Sequence, residues 1–274
     1  MAITMAEIQS LRKRTGAGMM DCKKALEEAN GDIEKAIEVI RKKGQAFAAK
    51  RGDREASEGC VLAASKEGYA ALVAVKCETD FVAINADFVA MTKNILDAAL
   101  ANKPADAEAL KSVEIGGFKV ADVIIDRSGI TGEKMELGAF ESVEAASVFA
   151  YVHPGNKLAT IVGFNKANVD EHVGKDIAMQ VAAMNPVAIL PEEVSEEIKE
   201  RERSIAREKA IEAGKPENLL DRIAEGAVTK FYKEYTLLQQ EFIKDSKTTV
   251  GQYLSKHDKE LVVVSFKRFT LNAE

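Results

Sequence analysis

Apolar positions in the first part of the chain recur with the spacing of amphipathic helices. Ile8 and Leu11 lie on one face of a predicted helix over residues 3–14. Residues 15–18 contain two glycines, which tolerate the backbone angles of a sharp turn, so the helix is expected to end there. Asp21 then falls in the first turn of a second helix, where a negative charge is favourable beside the helix dipole.

A third helix is predicted to begin after the cap residue Asp32 and to close at Gly44, because aspartate and glycine are typical of these two helix ends. Three short helices bury few apolar residues. Residues 1–54 are therefore predicted to form a three-helix module with a marginal core. Residues 50–55 are charged and carry no apolar stripe, which indicates a tether between this module and the rest of the chain.

After the tether the pattern changes to that of β-strands. Residues 61–64 and 70–75 are apolar and flank a turn at residues 66–68, which predicts a β-hairpin. A long amphipathic helix follows, and residues 135–143 are expected to add a strand. These elements predict a first antiparallel α/β subdomain over residues 55–145.

The same order of elements recurs later in the chain. Two apolar segments flank a turn at His153-Pro154-Gly155-Asn156, and a helix is predicted over residues 169–184. A strand at residues 261–266 is expected to return to one of the sheets. Residues 146–185 together with 232–274 are therefore predicted to form a second antiparallel α/β subdomain, which makes the fold class α+β.

Residues 186–231 differ from both subdomains, because their few apolar side chains are surrounded by Glu, Arg and Lys. Gly214 and Pro216 stand where one helix would end and another begin, since glycine favours helix ends and proline favours the first helical turn. The segment is predicted to be a projecting antiparallel helical hairpin inserted in the second subdomain. Such a hairpin stands in solvent or pairs with another chain, so a homodimer through it stays open.

Charge and length restrict the class of partner. The 274 residues carry a net charge of −6, whereas a protein that grips phosphate backbones is normally basic, so direct nucleic-acid binding is not expected. No apolar run approaches the roughly 18 residues that span a bilayer. The N-terminus lacks the pattern of a signal peptide, and we expect a cytoplasmic protein without membrane contact.

The residues that catalysis or metal binding would require are scattered. The three histidines, His153, His172 and His257, do not have the spacing of metal ligands. The three cysteines are also far apart, and reduced, buried thiols are the expectation. Cys77 precedes Glu78, whose charge would disfavour a thiolate nucleophile. The sequence therefore predicts a binding protein with no enzymatic activity, cofactor or metal.

One polar turn contains large apolar side chains that its neighbours do not bury by default. Residues 77–85 connect a predicted strand to a predicted helix, and within them Phe81 follows Asp80 directly. A rigid aromatic ring displayed on a loop is a common protein-binding feature. Local pattern alone leaves two interpretations of Phe81 open: the ring faces a partner, or it turns inward and caps a core.

Several motifs occur in one order along nearly the whole chain. They are Arg14-Thr15-Gly16-Ala17-Gly18-Met19-Met20-Asp21-Cys22-Lys23-Lys24-Ala25-Leu26 with Asn30-Gly31-Asp32 and Ala36-Ile37, Thr79-Asp80-Phe81-Val82-Ala83 with Asn85, Tyr151-Val152-His153-Pro154-Gly155, Asp176-Ile177-Ala178-Met179-Gln180-Val181-Ala182-Ala183, and Ser246-Lys247-Thr248-Thr249-Val250-Gly251. This series closely resembles the bacterial elongation factor Ts family. Several long motifs in the right order are far more specific than any single one.

The resemblance implies a guanine nucleotide exchange factor that binds the GDP form of elongation factor Tu and accelerates GDP release without covalent catalysis. It also implies that the N-terminal module is ubiquitin-associated-like and touches the nucleotide-binding domain of that GTPase. By position, Arg12, Met19 and Met20 are expected at the contact. Residues 1–54 carry 12 Lys and Arg against eight Asp and Glu, which favours docking on an acidic surface.

The resemblance implies contacts from the core as well. Asp80 and Phe81, flanked by Thr79 and Val82, are similar to the pair that inserts near the Mg²⁺ and phosphate side of the nucleotide site. Two roles for Asp80 stay open, disturbance of the Mg²⁺ shell or fixing of the loop through backbone hydrogen bonds, and the second is favoured. His153 and its neighbours resemble the part that meets another domain of the GTPase.

The remaining expectations are less specific. Thr131 and Gly132 are weaker candidates for the same contact. Some family members extend past the final strand with a further helix, and because this chain stops at residues 271–274 that helix is expected to be absent. Two rival functions are an adaptor that binds through the N-terminal helices and an RNA-binding translation protein. The polar segment at residues 79–85 argues against the first, and the acidic balance against the second.

Overall fold

The computed structural model describes residues 3–272, and it combines helices with antiparallel sheets, so the predicted α+β class is confirmed. The expected outer boundaries at residues 1 and 274, and the expectation about residues 273 and 274, lie outside the described residues.

The α-helices within the described range are short to medium in length. They are α1 (Met5–Thr15), α2 (Met19–Glu28), α3 (Ile33–Lys50), α4 (Asp80–Ala83), α5 (Ala86–Asn102), α6 (Ala107–Ser112), α7 (Val120–Thr131), α8 (Glu171–Met184), α9 (Glu196–Glu212), α10 (Leu220–Tyr235) and α11 (Val250–His257). Two 3-10 turns occupy Pro191–Glu193 and Glu217–Leu219. No helix within residues 3–272 is both long enough and apolar enough to cross a bilayer.

The strands form two three-stranded sheets and two small ribbons. They are β1 (Glu58–Lys66), β2 (Tyr69–Cys77), β3 (Glu114–Ile115), β4 (Phe118–Lys119), β5 (Glu136–Glu144), β6 (Ser147–Val152), β7 (Leu158–Phe164), β8 (Glu241–Phe242), β9 (Asp245–Thr249) and β10 (Val263–Thr270). The ribbons pair β3 with β4 and β8 with β9.

The first sheet has the order β1-β2-β5, and both pairings are antiparallel. Residues 69–75 of β2 are all buried, as expected for a central strand that is covered on both faces. Helix α5 packs against one face of the sheet, where its Phe88 and Ile95 are fully buried. The helix stripe and the hairpin predicted from the sequence are both present.

The second sheet has the order β10-β7-β6 and repeats the plan of a hairpin followed by a helix. Helix α8 packs against the sheet, and its Ile177 belongs to one core cluster with Val162 and Phe164. The predicted last strand begins at Val263, two residues later than expected, because Leu261 is held in a turn by a hydrogen bond from its backbone N–H to the carbonyl of Asp258.

The two sheets also pack against each other. Val61 and Leu72 of the first sheet form one buried cluster with Val148 and Ile161 of the second, and most of the surrounding side chains are alanine. A backbone hydrogen bond from Val61 N to Asn156 O, 2.7 Å long, joins β1 to the turn between β6 and β7. This contact fixes that turn relative to the first sheet.

The N-terminal helices correct two of the predictions. Ile8 and Leu11 are buried as predicted, but α3 does not close at Gly44 and continues to Lys50. Gly44 is buried against α7, where Gly129 has no Cβ to keep the two backbones apart. The interpretation of residues 50–55 as a free tether is also wrong, because Arg51 and Arg54 form ion pairs with the core residue Glu78.

Helices α9 and α10 pack on each other and are antiparallel. Their direction follows from two ion pairs, Arg203 with Glu225 at 2.8 Å and Arg207 with Asp221 at 2.7 Å. Gly214, with φ of +69°, lies just beyond the end of α9, where a glycine was predicted.

Candidate functional site

The turn that contains Phe81 is a single turn of helix, α4, rather than an irregular loop. The hydroxyl of Thr79 caps it by accepting a hydrogen bond from Val82 N at 3.4 Å. Phe81 is 80% exposed and Ile84 is 76% exposed, whereas Ala83 is buried against the core. Of the two interpretations of Phe81, the outward-facing ring is therefore confirmed.

The carboxylate of Glu133 holds the start of this turn. Its Oε2 accepts hydrogen bonds from the backbone N–H groups of Glu78 at 3.2 Å and Thr79 at 3.0 Å. Its Oε1 accepts a hydrogen bond from the hydroxyl of Thr79 at 2.6 Å. Bonds to an ionised acceptor are stronger than neutral ones, so the chain entering α4 is fixed at three points by one side chain.

Glu78 forms a second anchor beside the first. Its carboxylate accepts hydrogen bonds from Lys134 N at 2.6 Å, from Arg51 at 3.0 Å and from Arg54 at 2.9 Å. Burial acts to raise the pKa of Glu78, but the hydrogen bonds from Lys134, Arg54 and Arg51 outweigh it and hold the pKa at about 2. The anchor is therefore ionised at neutral pH.

Asp80 does not have the loop-fixing role that the sequence favoured. Its side chain is exposed, and within residues 3–272 it accepts no hydrogen bond. Thr79 and Glu133 fix the turn instead, because Glu133 accepts hydrogen bonds from the N–H groups of Glu78 and Thr79, and the Thr79 hydroxyl accepts one from the next turn. The pKa of Lys157 is raised mainly by its hydrogen bond to Glu58, and the negative charge of Asp80 raises it to a smaller extent.

Thr131 and Gly132 lie behind the turn. Gly132 caps the end of α7 with φ of +76°, and its N–H donates to the carbonyl of Ser128 at 3.0 Å. The hydroxyl of Thr131 accepts a hydrogen bond from Glu133 N at 3.3 Å. Both residues are half-buried, and they set the position of Glu133 relative to α7.

His153 begins the exposed turn between β6 and β7. Its N–H donates to Leu158 O at 2.8 Å, and its ring nitrogen Nδ1 lies 3.0 Å from the hydroxyl of Tyr151. Lys157, at the end of the same turn, pairs with Glu58 at 2.8 Å, and Glu58 is the register partner of Cys77 in the first sheet. The β6–β7 turn is thus tied to the end of the first sheet from which α4 emerges.

Arg12, Met19 and Met20 are exposed on α1 and α2, with Met19 48% and Met20 64% exposed. Arg127 of α7 lies between this region and α4. Its guanidinium lies close to the turn at Gly16: a Cβ added to Gly16 would be 3.6 Å from Nη1 of Arg127. The same guanidinium forms an ion pair with Asp87, at the start of α5, at 3.1 Å.

The structure therefore brings some predicted residues together and leaves others apart. Thr79 to Val82 and Thr131 to Gly132 share the Glu133 network. Arg12, Met19 and Met20 lie apart from this network, on helices α1 and α2, whose buried residues form a separate core cluster. Sequence reasoning missed Glu133 and Arg127, and the one available signal was the acidic residue directly after Thr131-Gly132.

The three cysteines are buried free thiols, as predicted. Burial raises the pKa of Cys60 to about 11. It also raises the pKa of Cys77 to about 12, with smaller contributions from the charges of Glu133 and Glu58. Burial, rather than the expected charge of Glu78, is the main cause of the raised pKa of Cys77, and neither thiol is poised to act as a nucleophile. Within residues 3–272 no cluster of three metal-ligating side chains occurs.

Comparison with known proteins adds independent information. The family profile described as Elongation factor TS matches residues 78–273. A protein named Elongation factor Ts from Porphyromonas gingivalis is 63% identical over 275 residues, with 100% of both chains covered. Proteins of the same name from Azobacteroides pseudotrichonymphae and Bacteroides thetaiotaomicron are 57% identical over 274 residues and 48% identical over 331 residues, again with 100% of both chains covered.

These matches extend over the sheets, over α4 and over the segment that carries Glu133. The class of protein that they define is the translation elongation factors. The chain belongs to the elongation factor Ts family.

Proposed function

We propose that this protein is a cytoplasmic guanine nucleotide exchange factor that binds the GDP form of elongation factor Tu. It accelerates GDP release during translation elongation and performs no covalent catalysis. The observation that best supports this proposal is Phe81, an aromatic ring 80% exposed on a turn that several polar contacts hold in place.

The energetics of exchange are compatible with such a ring. A protein that binds the GTPase more tightly in the absence of GDP must lower the affinity for GDP by the same ratio. Such coupling free energies are typically about 1–3 kcal/mol. Burial of one Phe side chain contributes roughly 1.5–3 kcal/mol. Insertion of Phe81 into the partner is therefore large enough to supply a substantial share of the coupling.

The residues around Phe81 have distinct roles in the proposal. Thr79 fixes the turn, and Val82 supports it from its half-buried position. The side chain of Asp80 is exposed and its carboxylate accepts no hydrogen bond within the described residues, so its charge is available to disturb the Mg²⁺ shell beside GDP. Thr131 and Gly132 contribute indirectly, because they position Glu133.

The other contacts are proposed from their placement. Residues 1–54 form a ubiquitin-associated-like module that meets the nucleotide-binding domain through Arg12, Met19 and Met20. His153 meets a different domain of the GTPase. No membrane or nucleic-acid partner is included.

The proposed organisation of the chain keeps the predicted boundaries. The core consists of subdomains at residues 55–145 and at residues 146–185 plus 232–274. Residues 186–231 form an inserted hairpin, and a homodimer through that hairpin stays a prediction.

Stopped-flow release of a fluorescent GDP analogue from elongation factor Tu tests the function directly. Addition of this protein should raise the release rate in a concentration-dependent and saturable way. The same release rate with and without the protein, in the presence of Mg²⁺, would refute the proposal.

A further inference from the structure

Two groups of exposed apolar side chains stand on different parts of the fold. Phe81 and Ile84 are on and beside α4, and Met19 and Met20 are at the start of α2. The buried residues beneath them belong to separate clusters, one centred on the first sheet and one on the N-terminal helices. A partner that touches both groups at once requires a fixed distance between them, so the element that joins the clusters matters.

Helix α7 makes the first joint, with α3. A Cβ on Gly129 would lie 2.4 Å from the Cα of Gly44, so the two backbones touch at this point. Arg41 of α3 donates to Asp126 of α7 at 3.0 Å, and its guanidinium lies 4.2 Å from the ring centre of Phe118. Steric contact and an ion pair together fix the angle between the N-terminal helices and α7.

The segment after α7 makes the second joint, with α4. The hydroxyl of Ser128 donates to the carbonyl of Glu133 at 2.5 Å, which holds Glu133 against the helix end. Glu133 then binds the backbone of Glu78 and Thr79 at the entry to α4. One short element therefore carries the N-terminal helices at one side and the Phe81 turn at its end.

We infer that α7 and residues 131–134 act as a bracket that sets the distance and orientation between Met19 and Met20 on one side and Phe81 on the other. This inference rests on the proposed exchange function. Gly129 and Glu133 are its positioning residues: they touch no partner and act through the side chains that do. When the GTPase contacts both groups, the bracket places Phe81 at a defined position in it. A small displacement of Phe81 is then expected to lower the rate of GDP release strongly.

The interface offers a matched pair of variants. Gly129→Ala would force the two helices apart, whereas a Cβ on Gly44 would have its nearest neighbour, Ile125 O, at 3.6 Å, an ordinary contact. Both changes replace a helical glycine with a better helix former, so helix propensity acts equally in both. We expect the maximal rate of GDP release to fall about tenfold in Gly129→Ala and to change less than about twofold in Gly44→Ala.

Glu133 supplies a second pair of variants should Gly129→Ala fail to fold. Glu133→Ala removes all three acceptor contacts, and Glu133→Gln keeps an acceptor of the same length and restores part of the maximal rate. Phe81→Ala with Gly129→Ala should be no slower than Phe81→Ala alone, because α7 acts through Phe81. Simple destabilisation would instead make the two losses add.

A distance measurement separates this inference from the exchange function. Spin labels are placed on Met20→Cys and Ile84→Cys, which are exposed, while the native thiols are buried. The protein with Gly44→Ala should keep one narrow distance distribution, and Gly129→Ala should shift or broaden it. An unchanged distribution and rate in Gly129→Ala, equal damage in Gly44→Ala, or a normal rate in Glu133→Ala would overturn the bracket. If the unmodified protein did not accelerate GDP release at all, only the proposed function would be overturned.

Discussion

The turn at Phe81 and the turn before Met19 both display apolar side chains, but they are held in different ways. The first is bound to Glu133 and Lys134, more than 50 residues away in the chain. The second is held by local bonds, such as Gly16 N to Arg12 O at 2.8 Å and Ala17 N to the hydroxyl of Thr15 at 3.2 Å. Helix α2 has Gly18 as its N-cap residue and therefore no side-chain cap hydrogen bond.

This difference suggests a division of labour between the two turns. A ring on a turn with long-range anchors enters a partner with little loss of conformational freedom, which suits a wedge. Methionine side chains have three rotatable bonds and adapt to an irregular surface, which suits a contact that supplies affinity. The two turns should therefore respond differently to mutation, acid and salt.

The largest effect is expected for Phe81→Ala. Loss of the buried ring should slow the maximal rate of GDP release by about tenfold or more, because burial of Phe is worth roughly 1.5–3 kcal/mol. Stopped-flow release at saturating protein measures it. Val264→Ala is a control, since Val264 is also exposed but lies on β10. A normal maximal rate in Phe81→Ala would remove the wedge from the mechanism.

A smaller effect is expected for Met20→Ala, and on a different parameter. Removal of an adaptable apolar contact should raise the concentration for half-maximal acceleration about fivefold, with little change in the maximal rate. The same titration measures both quantities. If Met20→Ala lowered the maximal rate and left the half-maximal concentration unchanged, the two turns would not differ as described.

Acid should loosen the Phe81 turn before the turn at Gly16. The pKa of Glu78 in the folded protein is about 2, below its ordinary value of 4.5. Its contribution to stability is therefore complete above about pH 4.5 and is lost as the pH falls towards 2. Hydrogen exchange at pH 5 and pH 3, corrected for intrinsic rates, should show lost protection at Lys134 N in the wild type. Glu78→Gln should lack that pH dependence; its persistence would exclude Glu78 as the cause.

The smallest effect is expected for Arg12→Ala. Arg12 is exposed at the rim of the N-terminal contact, so its charge should affect association more than dissociation. We expect the association rate to fall about twofold at low salt and the difference to vanish near 0.5 M salt. Lys259→Ala, an exposed charge far along the chain, provides a comparison. An Arg12→Ala effect confined to dissociation would argue for a buried contact.

The features that sequence could predict are the local ones. The helix face with Ile8 and Leu11, both hairpins and the turn at residues 15–18 follow from periodicity and glycine chemistry over a few neighbouring positions. The sequence also drew attention to Phe81, because it follows an acidic residue in a polar turn whose neighbours would not bury it by default.

The features it missed depend on partners far away in the chain. Gly44 resembles a helix end until Gly129 is placed beside it, 85 positions later. The sequence favoured Asp80 as the residue that fixes the loop, but Thr79 and Glu133 take that role. Likewise, Arg51 and Arg54 look like solvated tether residues, because no pattern in the neighbouring sequence indicates that Glu78 is their ion-pair partner. No local pattern encodes such pairings.

The anchoring of α4 through its main chain has a practical consequence for optical studies. The oxygen atoms of Glu133 bind N–H groups and the Thr79 hydroxyl, so the identity of the side chain at position 81 does not enter the anchor. The sequence contains no tryptophan. An indole introduced by Phe81→Trp would be the sole strongly fluorescent group, and its emission would report directly on the instant at which the turn meets another molecule.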